Sequence, residues 1–162
     1  MNADDVTRAL VRDMNIRTTL IVPNVSWGLV TWGECDLLAL SNAGYLTEYE
    51  IKVEARDIDR ELDKERWSHE PYRRAFDGMI RRYYMVVPQK IQAVAEFAMP
   101  EDVGGGVIVA DYERPNHPIP GTVAHCVKAA RVNKKARKLT DKERHQLARL
   151  GTLRYWSRFL KD

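Results

Sequence analysis

The stretch ECDLLALSNAGYLTEYEIKV, residues 34–53, reads as two strands joined by a short turn. Asn42, Ala43 and Gly44 separate two largely apolar runs, which is how a hairpin is written in sequence. Side chains two apart on a strand share a face. Glu34, Asp36 and Leu38 therefore share one face of the first strand, and Glu48, Glu50 and Lys52 one face of the second. A register that sets Asp36 near Glu50 gathers Asp36, Glu50 and Lys52, with Glu34 and Glu48 alongside. Both strands are otherwise apolar, so the sheet is expected well inside the domain. Carboxylates crowded there repel one another and are costly to desolvate. A divalent cation relieves both costs. Two carboxylates, the Ile51 carbonyl and water form an oxygen-rich seat suited to Mg²⁺ or Mn²⁺. The alternative is a solvated face whose charges pair with each other. Glu48 is expected only to solvate the strand end.

The chain has 162 residues, 44% hydrophobic and 30% charged, the make-up of one ordinary globular domain. No run approaches the roughly 18 apolar residues of a membrane span, and the opening MNADDVTRAL has no apolar signal core. The expectation is a cytoplasmic protein without a membrane partner. Cys35 and Cys126 lack metal-ligand spacing, which points to a reducing compartment and away from structural zinc. The four histidines are scattered, so a histidine-bound metal is not expected. The net charge of +3 conceals an asymmetry. Residues 1–127 hold 14 Lys and Arg against 20 Asp and Glu, whereas residues 128–162 hold 12 against 3. The chain is read as a core over 1–127 and a basic segment over 128–162 whose terminal helix packs on the same domain. A basic end on an acidic chain suggests a polyanion partner; a solvated helix face is the plainer reading.

Helical spacing of Val6, Ala9, Leu10 and Met14 predicts a first helix capped by Asn2 or Asp4. TTLIVPN predicts a strand before the hairpin. RDIDRELDKERW predicts one charged helix with Ile58, Leu62 and Trp67 as its buried stripe, and EPYRRAFDGMI continues helically after Pro71. RRYYMVVP and the run from Val107 to Asp111 predict two more strands, followed by an irregular ERPNHPIPGT and a basic linker or short helix, KAARVNKKARK. Thr140 and Glu143 form a capping box for the last helix, whose apolar stripe is read as Leu147, Leu150, Leu153, Trp156 and Leu160. Trp27 and Trp32 are read as core anchors. The order helix, three strands, helix, two strands, helix predicts an α/β fold around a mixed sheet.

Asp36, thirteen intervening residues, then Glu50-Ile51-Lys52 resembles the D…(D/E)xK signature of the PD-(D/E)XK nuclease superfamily, with Cys35 where the nominal motif has proline. The strand pattern W-x-E-x-D-L, the following Y-x-x-E-x-E-I-K, and the later RYYMVVP and MPEDVGGGVIVAD look like the MmcB-like, DNA-repair-related branch over about residues 3–111. The resemblance implies a restriction endonuclease-like fold, a mixed central sheet with the antiparallel hairpin, flanked by helices. It implies a metal-dependent nuclease that hydrolyses phosphodiester bonds in DNA, for repair or phage DNA metabolism. Asp36 and Glu50 would bind the metal with the Ile51 carbonyl, and Lys52 would position the attacking water. Glu34 would serve a second metal or an outer shell. Lys64 and Tyr72 are further candidates near the scissile phosphate. Arg131, Lys134, Lys135, Arg137 and Lys138 are the candidate phosphate contacts of the basic segment. DNA would be bound without sequence specificity or by structure, and the oligomeric state stays open, a homodimer included. The rival function is a non-catalytic nucleic-acid-binding or adaptor module on the same scaffold. A phage protein aimed at a host enzyme is a third reading.

Overall fold

The computed structural model describes residues 1–26, 28–99, 101–111 and 123–160. Trp27, the irregular stretch 113–122 and the Asp111 side chain lie outside the described residues. The elements run α1 (Ala3–Asp13), β1 (Thr19–Val25), β2 (Cys35–Ser41), β3 (Leu46–Ile51), α2 (Ala55–Leu62), α3 (Glu65–Ser68), α4 (Glu70–Met79), β4 (Ile80–Pro88), a 3₁₀ turn (Gln89–Ile91), α5 (Gln92–Ala98), β5 (Gly106–Asp111), β6 (Val123–Lys128) and α6 (Asp141–Phe159). The strands form one six-stranded mixed sheet in chain order. β1, β2 and β3 are antiparallel, β3, β4 and β5 are parallel, and β6 returns antiparallel.

The hairpin forms as expected. Leu38 pairs with Glu48 and Leu40 with Leu46, and the ladder ends at Leu37 opposite Tyr49, one residue short of Asp36 and Glu50. Its turn needs Gly44, whose φ of 90° suits a residue without Cβ. The Gly44 N–H donates to the Ser41 carbonyl at 2.8 Å.

Both faces of the sheet are covered. Asn2 caps α1 through a capping box with Asp5, and Val6, Ala9 and Leu10 bury its apolar stripe against Val86, Ala110 and Ala124. Burying each larger aliphatic side chain contributes about 1.5–3 kcal/mol. The opposite face carries Val22, Leu38, Leu46, Met85 and Val109, packed by Ile58 of α2, Phe76 of α4, Ala95 of α5 and Leu147 of α6. Glu48 and Glu50 project into this larger core, because residues 46, 48 and 50 are the buried alternation of β3.

Four expectations are corrected. The sheet has a sixth strand, β6, whose short VAHCVK run gains its order from pairing with β5. A short helix, α5, also escaped notice. The predicted single helix over 56–67 is two, because Lys64 adopts extended backbone between α2 and α3. The stripe of α6 does not bury as a stripe. Leu147 is fully buried, but Leu153, Trp156 and Leu160 are 51%, 50% and 79% exposed. Steps of three fall short of the 3.6-residue turn, so nine residues from Leu147 to Trp156 rotate the face by roughly 180°.

KAARVNKKARK is an extended strap rather than a helix. It crosses the starting ends of three parallel strands through Arg131 N–H to the Gly104 carbonyl (2.8 Å), Asn133 N–H to Arg81 (2.9 Å) and Leu139 N–H to Gly44 (2.9 Å). Among the described residues no helix is long and apolar enough to cross a membrane.

Candidate functional site

The site begins where the β2–β3 ladder runs out. The Asp36 carboxylate takes over the role of a strand carbonyl and accepts the Ile51 N–H at 2.8 Å. The next residue extends β3 along β4, with the Lys52 N–H donating to the Val86 carbonyl at 3.0 Å. This fixes the backbone at 51 and 52 and sends the Lys52 side chain across the sheet face. Its ammonium lies 2.8 Å from Glu50 Oε2, 3.0 Å from Glu61 Oε2 and 3.6 Å from Asp36 Oδ2. Asp36, Glu50 and Lys52 therefore converge, as the hairpin register predicts. A cleft of about 260 Å³ opens here, lined by Asp36, Ile51, Lys52, Arg60, Glu61 and Lys64.

Under the cleft lies a layer of charge that the sequence did not reveal. Arg66 is fully buried, reaches Glu50 Oε1 at 3.1 Å, and makes short hydrogen-bonded pairs with Glu48 and Glu61. Glu48 also accepts the Trp32 indole N–H at 3.1 Å. Glu48 is thus wholly enclosed, which corrects the expectation that it solvates the strand end. Glu50 and Glu61 are enclosed as well, so the solvated-face alternative fails for these acids, although its pairing of opposite charges holds. Lys64 comes back over the cleft from the break between helices, 2.6 Å from Glu61 Oε2 and 3.8 Å from Glu50 Oε2.

Electrostatics separate the acids. Burial raises the Asp36 pKa, and the Glu50 charge adds to the effect, while Lys52 and the Ile51 N–H oppose it. Burial works on Glu50 in the same direction, but Arg66, Lys52 and Lys64 together outweigh it and hold its pKa below the ordinary value. Glu48 goes the other way, since burial exceeds the help from Arg66. The Cys35 thiol is pushed up by burial and by Glu48 and Glu50, so it is no nucleophile.

The donor chemistry fits a hard divalent cation. Asp36 and Glu50 share the Lys52 ammonium, at 3.6 and 2.8 Å, and Ile51 lines the adjoining cleft. Glu50 Oε1 and Glu61 Oε2 are buried oxygens that accept no hydrogen bond and meet their cations only as ion contacts. The seat between the acids is held by the Lys52 ammonium, and among the described residues no three His, Cys, Asp or Glu side chains form a ready cage. A Mg²⁺-type site needs only one or two carboxylates, with water and substrate oxygens completing it.

The remaining sequence candidates are dispersed. Glu34 precedes β2, is exposed, and lines a separate groove with Trp32, Tyr72 and Lys64. Arg131, Lys134, Lys135, Arg137 and Lys138 lie on the strap, at the opposite end of β3 from the cleft. Six residues of strand separate the two ends by about 17 Å. Arg137 is engaged by both oxygens of Glu143 at 2.6 and 2.7 Å, and Lys138 lies over the Tyr45 ring. Glu61 did leave a trace in the sequence: it shares the stripe of Ile58 at i+3. Nothing in DKERW distinguishes Arg66 from its charged neighbours.

No protein-family model matches the chain, and no curated protein does. Among solved structures, a protein of unknown function from Silicibacter pomeroyi is similar, with a TM-score of 0.61 and 16% identity, over 100% of this chain and 92% of that one. At this identity the likeness is one of fold.

Proposed function

We propose that the cleft at the end of β3 is the active site of a metal-dependent nuclease of PD-(D/E)XK type acting on phosphodiester bonds in DNA. The observation that carries the reading is the convergence of Asp36, Glu50 and Lys52 on one seat beside an open cleft. The arrangement of α1, the antiparallel β1–β3, the following helices and a β4 parallel to β3 supports a restriction endonuclease-like scaffold. Asp36 and Glu50 would hold Mg²⁺ or Mn²⁺ with the Ile51 carbonyl. When bound, the ion would supply an acidified water and positive charge for the leaving oxygen. Lys52 then turns its ammonium toward the attacked phosphate, where it stabilises the charge that builds in the transition state. Lys64 and Arg60 at the rim orient the DNA backbone. Arg66 keeps Glu50 ionised by holding positive charge beneath it. The strap cations are too distant to touch the same phosphate, so any DNA contact they make lies further along the strand.

A plasmid and a single-stranded substrate, incubated with Mg²⁺ or Mn²⁺, test the reading. The wild type should cut, whereas Asp36→Ala and Lys52→Ala should not while retaining the wild-type circular dichroism. Cleavage by Asp36→Ala at the wild-type rate removes the assignment. A second reading, a non-catalytic nucleic-acid-binding adaptor, draws on the pairing of Glu48, Glu50 and Glu61, the buried acids among the described residues, with Lys52, Lys64 or Arg66. It predicts salt-sensitive DNA binding with neither cleavage nor stabilisation by divalent metal.

A further inference from the structure

The strap encloses a second site at the far end of the sheet. A pocket of about 420 Å³ lies between α4, the start of β4 and the strap. Arg73, Arg81, Arg82, Arg131, Lys134 and Lys135 line it, against two carboxylates, Asp77 and Asp102. Both carboxylates are already engaged by Arg73, each at 3.3 Å. Among the described residues the other five cations make no ion pair with a carboxylate. Like charges gathered around one cavity repel each other, and an anion in the cavity relieves that repulsion.

The scaffold around these cations is built. Asn133 donates both amide hydrogens to carbonyls that end α4 and begin β4, Asp77 at 2.7 Å and Ile80 at 2.9 Å. Those carbonyls carry the negative end of a helix dipole and would otherwise oppose an anion. Asn133 also accepts the Arg81 guanidinium on its own carbonyl at 3.0 Å, and its side-chain oxygen takes the Lys135 N–H at 3.0 Å. Arg131 is braced on the Glu101 and Asp102 carbonyls, both at 3.2 Å. The cations are therefore set in place rather than strewn along a tail. Phe76, Tyr83 and Val103 give the pocket an apolar wall. The volume exceeds what one phosphate needs and falls in the range of small-ligand sites.

We propose that this pocket binds a phosphate ester, its phosphate held by the strap lysines with Arg81 and Arg131 and its organic portion against the apolar wall. The same chemistry is offered by a free mononucleotide or sugar phosphate and by one nucleotide of a nucleic-acid chain. The site does not rest on the catalytic reading of the cleft, and its test contains no divalent metal. Thermal unfolding is followed against inorganic pyrophosphate, AMP and a short oligothymidylate. Pyrophosphate should raise the Tm of the wild type. In the Lys134→Ala/Lys135→Ala variant, and separately in Arg131→Ala, half-saturation should move at least about tenfold higher. All three side chains are exposed, so these variants should melt like wild type without ligand. Lys90→Ala, exposed just past the other end of β4, should respond as wild type. An oligonucleotide that binds over tenfold tighter than AMP and weakens steeply with salt identifies a chain as the source. Comparable AMP binding identifies a free phosphate ester. A wild-type Tm unmoved by all three probes, or equal half-saturation in the strap variants, overturns the proposal.

Discussion

Replacing Arg66 with Met removes the positive charge from beneath three carboxylates while keeping most of the side-chain volume. Arg66 has no exposed side-chain surface, and neither do its partners Glu48 and Glu61; Glu50 is only 1% exposed. Breaking a buried pair by deleting one partner costs about 3–5 kcal/mol, because the orphaned charge cannot regain water. Domains of this size are stable by about 5–15 kcal/mol, so the variant should remain folded near pH 7 but be severely weakened. At about 2–4 °C per kcal/mol, the Tm should fall by roughly 6–20 °C. The pH dependence supplies a sharper check. In the wild type Glu50 has a depressed pKa, so its contribution is present above the unfolded value and is lost as pH falls through the folded one. Removing Arg66 raises Glu50 and pushes the already raised Glu48 further up, because burial then meets less opposing charge. The variant then regains stability as pH falls and the acids become neutral. Urea denaturation near pH 7 and near pH 5 should show the two proteins converging on acidification. Adding Glu48→Gln to the Met variant should recover part of the loss. A deficit under about 1 kcal/mol near pH 7, or one that does not shrink near pH 5, would refute the argument that charge compensation by Arg66 holds this layer together.

Three further outcomes are expected. Asp36→Asn should raise the Tm without divalent metal, because the native site disfavours the Asp36 charge, and the gain should vanish in acid, where wild-type Asp36 is protonated. The same raised pKa makes protons compete with metal, so the Mg²⁺-dependent Tm rise of the wild type should fade on acidification sooner than for an ordinary aspartate; isothermal titration over a pH series checks this. Thr140→Ala removes both the N-cap of α6 and the hydroxyl that donates to Glu143, and should cost about 1 kcal/mol by urea denaturation.

The hairpin was legible because its evidence is local. Alternation set Glu48 and Glu50 on one face, Gly44 marked the turn, and a short connection left β2 and β3 few alternative registers. The capping boxes of α1 and α6 are likewise contained within four residues. The α6 stripe failed on local geometry, because its steps of three rotate away from the buried Leu147. Elsewhere the deciding contact was remote. β6 exists through its pairing with β5. Arg66 is the clearest instance. Its place under β3 depends on the chain reversing at Lys64, and a charged run such as DKERW looks the same whether it faces water or a buried glutamate.

The amino-acid sequence by itself determined which chemical groups this protein brings to β3, because strand periodicity is a property of the backbone and acts over two residues. Tertiary structure decided what those groups meet. It enclosed Glu48, recruited Glu61 and Arg66 from the helices, and left Asp36 and Lys52 at an opening. It also carried the strap lysines to the opposite end of the sheet from the cleft. Electrostatic energy depends on distance and on exclusion of water, and neither is written in the spacing of residues along the chain.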